Sequence, residues 1–467
     1  MPVPDWVKDA VFYQIFPDRF ANGDPKNDPP NVQKWGSPPT VYGFQGGDLR
    51  GVIRRLEYLL DLGINAIYFN PIFHSTSNHR YNTTDYYRID PKLGDEKTFL
   101  ELLDLAHCNG VRILLDGVFN HSGRGFFAFN DLLENEANSP FRDWYHVKRF
   151  PLDAYGSGQA ENYLAWWRFR SLPKFNTANP AVRRYLLGVA RHWIELGVDG
   201  WRLDVPNEID DDSFWAEFRG TVKQVNPEAY LVGEIWEINP RWVGEDHFDG
   251  LMNYPLREAL IGWIAKRDLT ASAFDERITK LLAAYPQENL FACYLPLGSH
   301  DTERIRTLCG GDLRKVRLIV LFQMAFPGAP AVYYGDEIGL EGGKDPDSRR
   351  AFPWQKAKWD QEHRRFVQQL ISLRRQTPAL RHGAYVPLLR DDKASVYAFA
   401  RVHEGAAVLV VLNASDAGRR VSLPMDRLPW PEGTRLLDAL SGKHHGVSQG
   451  RVGLLLEPLA GALLLAK

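Results

Sequence analysis

The chain has 467 residues, 44% of them hydrophobic and 24% charged, with a formal net charge of -2. That is the balance of a globular protein, and it excludes wholesale disorder, collagen and coiled coil; the length predicts two to four domains at roughly 100–200 residues each. The near-neutral charge leaves no basic field to hold nucleic acid, and the apolar C-terminal stretch Val452 to Ala466 is broken by Glu457 and Pro458, so no segment spans a bilayer.

The N-terminus lacks the basic region and apolar run of a secretory signal. Cys108, Cys293 and Cys309 are an odd number at unrelated spacings. They argue against a disulfide framework and fit a reducing cytoplasm.

In chain order, VFYQIF (Val11 to Phe16) is the first strand candidate. Leu49 to Leu62 carries apolar residues at helical spacing and ends at Gly63, a C-cap signal, before the apolar run INAIYFN. Lys97 to Asn109 repeats the helix, Gly110 ends it, and VRILLD follows. Ala181 to Leu196, Gly197 and VDGWRLD make a third such unit, and Asp212 to Val225 leads into AYLVGEI. FDGLMN, ACYLPLGS and PAVYYG complete eight strands. The helix–Gly–strand cadence predicts an α/β fold, a (β/α)₈ barrel.

Two segments break the cadence. His121 to Asn179 is too long for a βα loop and is rich in aromatics, Gly and Pro, which predicts an inserted domain. After about Thr377, SVYAFARV, AAVLVVLNAS, TRLLDAL and GALLLA alternate with turns, which predicts a separate C-terminal antiparallel β domain. The expected division is barrel over 1–121 and 176–378, insertion over 122–175, and a β-sandwich over 379–467.

Active sites of such barrels form where the strand C-termini meet. Strand three ends in Asp116, Asn120 and His121, strand four in Arg202 and Asp204, strand five in Glu234, and strand seven in His300 and Asp301. One such residue alone would be an N-cap or a structural hydrogen bonder. Four carboxylates on one rim, with no nucleophilic Cys or Ser–His pair, point to glycosidic bond cleavage by a nucleophile and an acid. No His-x-His or His-Glu-x-x-His spacing supports zinc hydrolysis. On this reading some of the 14 Trp, 19 Tyr and 25 Phe line a sugar groove, the rest filling the core.

DGVFNH (Asp116 to His121), GWRLDVPNE (Gly200 to Glu208), GEIW (Gly233 to Trp236) and GSHDTER (Gly298 to Arg304) resemble, in order, the four signature regions of the α-amylase superfamily, glycoside hydrolase family 13. GGDLRGV and GAPAVYYGDEIG resemble two further regions. The resemblance implies a retaining α-glycosidase. Asp204 resembles the nucleophile, Glu234 the general acid/base, and Asp301 the third carboxylate. His121 and His300 resemble donors to sugar hydroxyls, Tyr81 the stacking aromatic and Arg349 a further arginine of the subsite, and Trp236, in GEIW, is expected to bind substrate. Arg202 lies two residues before Asp204, on the same strand face, and is expected to hold that carboxylate ionised. Glu234 is expected to stay protonated near neutral pH, helped by the charge of Asp301. Asp116 and Asn120 are expected to be structural.

SLPKFN (Ser171 to Asn176) resembles the LPKLN stretch of the neopullulanase, cyclomaltodextrinase and maltogenic amylase group. The group's substrates are cyclodextrins, pullulan, starch and maltooligosaccharides, often with transglycosylation. Strand one begins within the first dozen residues, so the group's extra N-terminal domain is expected to be missing. DVPNE replaces the frequent DVANE, and Pro206 removes a backbone donor. The assembly is expected to be a monomer or homodimer. Oligo-1,6-glucosidases and sucrose isomerases usually read QPDLN here, and inactive glycan-binding relatives lose the nucleophile or acid; this chain does neither.

ANGDPKNDPP places Asn22, Asp24, Asn27 and Asp28 within seven residues. Hard oxygens on a tight loop suit calcium; a solvated Asx-rich turn is the other reading. The stretch resembles a calcium loop of the group, completed there by positions matching the Gly46 carbonyl and Asp48.

Overall fold

A computed structural model describes residues 2–466. The strands in the first 333 residues are β1 (Phe12–Ile15), β2 (Ala66–Phe69), β3 (Phe73–Ser75), β4 (Thr83–Ile89), β5 (Arg112–Gly117), β6 (Gly200–Leu203), β7 (Tyr230–Gly233), β8 (Gly250–Leu251), β9 (Tyr294–Pro296) and β10 (Ala329–Tyr333). Eight of them pair in parallel in the order β8-β7-β6-β5-β2-β1-β10-β9. A single parallel bridge, Met252↔Tyr294, joins the two ends and closes the barrel. All eight predicted barrel strands are present. They are short apolar runs buried on both faces because helices cover the outside and side chains fill the inside.

The helices follow their signals. Asn179 caps Pro180–Glu195 by accepting from the Ala181 amide at 2.8 Å, and Val182, Leu186, Val189 and Trp193 form its buried stripe. Gly63, Gly110 and Gly197 are all left-handed, as a C-cap glycine must be. The predicted helix Leu49 to Leu62 is two helices, Leu49–Arg54 and Leu56–Leu62, separated at Arg55. The antiparallel hairpin β3–β4 was not foreseen; it is three and seven residues long and has irregular register.

Between β5 and Pro180–Glu195 the chain forms a helix, Phe127–Asn135, short 3₁₀ turns and isolated bridges such as Tyr145↔Phe175 and Val147↔Tyr163. Phe126, Phe129, Tyr145, Tyr163 and Phe175 belong to the same hydrophobic cluster as the barrel helices, so this insertion shares the barrel's core.

Helical structure persists to Pro378–His382, slightly beyond expectation. Eight antiparallel strands then follow between Ala384 and Ala466, with a second core around Leu409, Val411, Leu436 and Leu464. At the join, fully buried Arg401 donates to the carbonyls of Ala325, Leu380 and Gly383, and fully buried Arg374 to those of Met324, Phe326 and Leu380. The two guanidiniums satisfy helix C-terminal carbonyls that would otherwise be stranded.

Candidate active site

Strand parity builds the site. The alternation that turns Phe12, Tyr68, Leu114, Tyr230 and Tyr294 into the barrel interior turns Gln14, Asn70, Asp116, Arg202, Asp204 and Glu234 to the same side at or beyond the strand C-termini. All six are under a tenth exposed.

Arg202 is the hub. Its Nη1 donates to Asp116 Oδ1 at 2.8 Å and Asp204 Oδ1 at 2.9 Å. Its Nη2 lies 2.9 Å from Glu234 Oε2, a close ion pair whose N–H is not aligned for a hydrogen bond. Glu234 Oε2 also accepts from the Val205 amide at 3.0 Å, and Oε1 from Trp236 Nε1 at 3.2 Å. The Val205 donor comes from a left-handed residue, φ 36°, immediately before Pro206. For a β-branched residue that conformation is strained, and such strain gathers at functional sites. Pro206 favours extended backbone in the residue before it, so neither this turn nor its consequence for Glu234 was legible in the sequence.

Asp301 lies across from this cluster. Its carboxyl is 3.0 Å from His300 Nε2 and 3.4 Å from Arg349 Nη2. Arg349 is braced by its own Nε donating to the His300 carbonyl at 2.9 Å and by Asp345 at 3.1 Å. Gln14 and Asn70 amides reach His300 Nδ1 at 3.1 and 3.0 Å, so Nδ1 accepts and Nε2 carries the proton. Burial, with Arg349 and Arg202 nearby, pushes His300 well below its usual range and keeps it neutral. Tyr81 OH donates to Asp116 Oδ2 at 2.7 Å and meets His300 Nε2 at 2.7 Å, its ring nearly parallel to the imidazole. Gln14, Tyr68 and Asn70 were not singled out from sequence, because each is unremarkable until the barrel brings it against His300 or Asp116.

The electrostatics correct one expectation. Arg202 pulls Asp204 down, but burial outweighs it, and Glu234, Asp116 and Asp301 add to the upward push. Burial and then Glu234 push Asp301 up to about 7. Two guanidiniums oppose this push, Arg202 at Asp204 and Arg349 at Asp301. Asp301 is more than a third exposed, and solvent moderates its share.

His121 also departs from expectation. Both ring nitrogens are engaged within the protein, Nδ1 with Asn120 Nδ2 at 3.2 Å and Nε2 with the Tyr81 carbonyl at 3.1 Å. Burial drops it to about 3. Here it positions Tyr81 and has no free donor for a sugar. Asp116 ties Tyr68, Tyr81 and Arg202 together, the structural role expected for it.

Aromatic faces flank the cluster. Trp236 is half exposed and stacked on Tyr254 with centroids 3.7 Å apart. From the insertion, Trp166 stacks on His121, and Trp167 stacks on Trp166 at 4.8 Å while remaining 70% exposed. Trp167 and Arg168 are both left-handed, so a strained turn presents this ring.

The Asx-rich loop lies outside this cluster. Asp48 accepts from the amides of Gly23, Asp24 and Gly51, and Asp24 from the amide of Lys26. Asn22 Nδ2 donates to Asp28 at 2.8 Å, while Asn22 Oδ1 and Asn27 Oδ1 are buried without a partner. A Cβ on Gly46 would lie 2.2 Å from Asp28 Oδ1, so the backbone there is pressed against the loop. No group of three or more His, Cys, Asp or Glu among the described residues is arranged to hold a metal. The oxygens left over in this loop are amide and carbonyl oxygens beside the Asp28 and Asp48 carboxylates, a hard-oxygen set that fits calcium.

An eight-stranded parallel barrel with clustered carboxylates and exposed aromatics at its C-terminal mouth defines a carbohydrate-cleaving enzyme. Residues 14–382 match the α-amylase catalytic domain and residues 391–463 the neopullulanase-like C-terminal domain. The chain belongs to the α-amylase family and is a glycoside hydrolase acting on α-glucans. It is 45% identical over 457 residues to a cyclomaltodextrinase of Geobacillus thermopakistaniensis (strain MAS1), covering 97% of this chain and 76% of that protein. It is 44% identical over 463 residues to neopullulanase 2 of Thermoactinomyces vulgaris, covering 99% and 78%. The structure of a cyclic α-maltosyl-(1→6)-maltose hydrolase from Arthrobacter globiformis, in complex with cyclic α-maltosyl-(1→6)-maltose, superposes with a TM-score of 0.91 at 38% identity and full coverage of both chains.

Proposed function

We propose that the protein opens cyclodextrins and cleaves maltooligosaccharides, pullulan and starch by double displacement with retention, and transfers part of its glycosyl intermediate to sugar acceptors. The observation that carries this is the convergence of Asp204 and Glu234 on one guanidinium. Asp204 Oδ2 is the oxygen that Arg202 leaves free to attack the anomeric carbon. Glu234 Oε2 is held by the Val205 amide beside Arg202, so Oε1 faces the cleft and carries the proton for the leaving oxygen. Asp301, with Arg349, grips hydroxyls of the sugar being cleaved, and His300 holds that carboxyl and the Tyr81 hydroxyl in place through Nε2. Once the first product leaves, Glu234 takes the proton of the incoming water or sugar. The exposed Trp236 face beside Glu234 stacks an acceptor sugar, which favours transfer over hydrolysis.

Incubation with γ-cyclodextrin, pullulan and maltotriose, followed by chromatography, tests this reading. All three are expected to be consumed, and maltotriose is expected to give some products longer than itself. Absence of new reducing ends from all three would overturn it.

A cytoplasmic location is part of the same reading. It is supported by an exposed, unpaired Cys108 and two buried, unpaired cysteines, Cys293 and Cys309.

Calcium would be held by Asn22, Asn27, Asp28, Asp48 and the Gly46 carbonyl, with Asp24 closing the loop through its cap. It would pin the first loop and supply no catalytic group. A ligand that binds only the folded state stabilises it by about 2.7 kcal/mol at a hundredfold excess over Kd. Chelation is therefore expected to lower the melting temperature by several degrees with little change in activity measured well below melting. Asn27→Ala is expected to mimic the chelator and to resist rescue by calcium. An unchanged melting curve after metal removal verified by elemental analysis would return the loop to a solvated turn.

A further inference from the structure

An open groove of about 450 Å³ lies between the loop around Trp35 and the segment 340–358, and no residue of the catalytic cluster lines it. Ligand sites typically fall in the range of about 300–1,000 Å³. The two walls are fixed in place. Trp35 Nε1 donates to the Phe352 carbonyl at 3.0 Å, and Gln45 braces its loop through the Gly36 amide and the Ser37 carbonyl, both at 2.9 Å. On the other wall, Arg350 makes a bidentate pair with Asp347, both contacts at 2.7 Å, and Asp347 also accepts from the Gly343 amide. Arg349 points to Asp301, whereas Arg350, its neighbour, lines the groove. One loop therefore has a face toward each.

The lining suits a sugar chain. Trp35 is half-buried, and its indole N–H is held by the Phe352 carbonyl. Pro38 and Pro39 add flat apolar surface. Arg350 is already paired with Asp347, which leaves Lys358 as a single cation in the lining among neutral polar and apolar groups. The Gln355 amide and the Lys358 ammonium line the groove, both exposed and, among the described residues, without a side-chain partner. One aromatic platform with planar polar groups and unspent donors is the chemistry that recognises a neutral polyol ring, and pre-ordered walls lower the cost of binding it.

We propose that this groove is a second α-glucan-binding site, separate from the catalytic cleft, that holds the protein on long chains. The inference rests on the reading of the protein as an α-glucan hydrolase.

Native electrophoresis in gels containing soluble starch tests it, with Glu234→Gln as the parent so that the matrix survives. Adding Trp35→Ala, or Gln355→Ala with Lys358→Ala, is expected to weaken retardation by about tenfold. The same changes in the otherwise natural protein are expected to leave kcat/KM on maltotriose unchanged. Should Trp35→Ala fail to fold, the exposed Gln355→Ala/Lys358→Ala pair decides. Retardation equal to the parent's would overturn the proposal. So would a fall in retardation matched by an equal fall in maltotriose turnover, since the groove would then be part of the cleft. Digestion of the gel by Glu234→Gln would count instead against the catalytic assignment.

Discussion

Asp204→Asn and Glu234→Gln are each expected to lower kcat on maltotriose by roughly four orders of magnitude or more, with melting temperatures near that of the natural protein. Each substitution keeps the shape of the side chain but removes one half of the chemistry, the nucleophile or the proton donor. The two variants are expected to separate on α-glucosyl fluoride. Fluoride leaves without a proton, so Glu234→Gln is expected to regain much of the first step, and Asp204→Asn none of it. Turnover of either variant on maltotriose within about tenfold of the natural protein would remove that residue from the mechanism.

The second large effect is on stability. Arg202 contacts Asp116, Asp204 and Glu234 with one guanidinium, and its side chain is 1% exposed. Arg202→Leu leaves three buried carboxyls without that cation. Breaking a buried ion pair on one side typically costs about 3–5 kcal/mol. The sign of its pH dependence follows from linkage. Burial holds the Asp204 carboxyl above its usual range, and without the guanidinium nothing in the hub opposes that push. Its contribution is then fully present in acid and lost as pH rises through its raised folded value. The deficit relative to the natural protein is therefore expected to be smaller at pH 5 than at pH 8, as read by denaturant unfolding. A deficit under about 1 kcal/mol, unchanged across that range, would mean that the hub carries little of the site's stability.

Much of this site was legible because a barrel converts sequence order into position. Strand ends marked by VRILLD, VDGWRLD and AYLVGEI put Asp116, Asp204 and Glu234 on one rim, and two-residue alternation put Arg202 beside Asp204. What was hidden depends on contacts between distant segments. Gln14 and Asn70 matter only because β1 and β2 bring their amides to His300, which fixes its tautomer. The orientation of His121 toward the Tyr81 carbonyl depends on the β3–β4 hairpin, whose short, irregular strands leave no clean alternation. The left-handed turns at Val205 and at Trp167 run against local preference, so no propensity argument finds them; the surrounding structure imposes them. The upward push on Asp204 was missed for a similar reason. Adjacency to Arg202 is visible in the sequence, whereas the burial that outweighs it is not.

The central claim is double displacement with Asp204 as nucleophile and Glu234 as acid. In a retaining site the two carboxyls sit about 5–5.5 Å apart, leaving no room for a water on the far face of the sugar. Proton NMR of maltotriose hydrolysis, recorded before the products mutarotate, reads the outcome directly. The account predicts that the first new reducing end is the α-anomer. An initial β-anomer would contradict it.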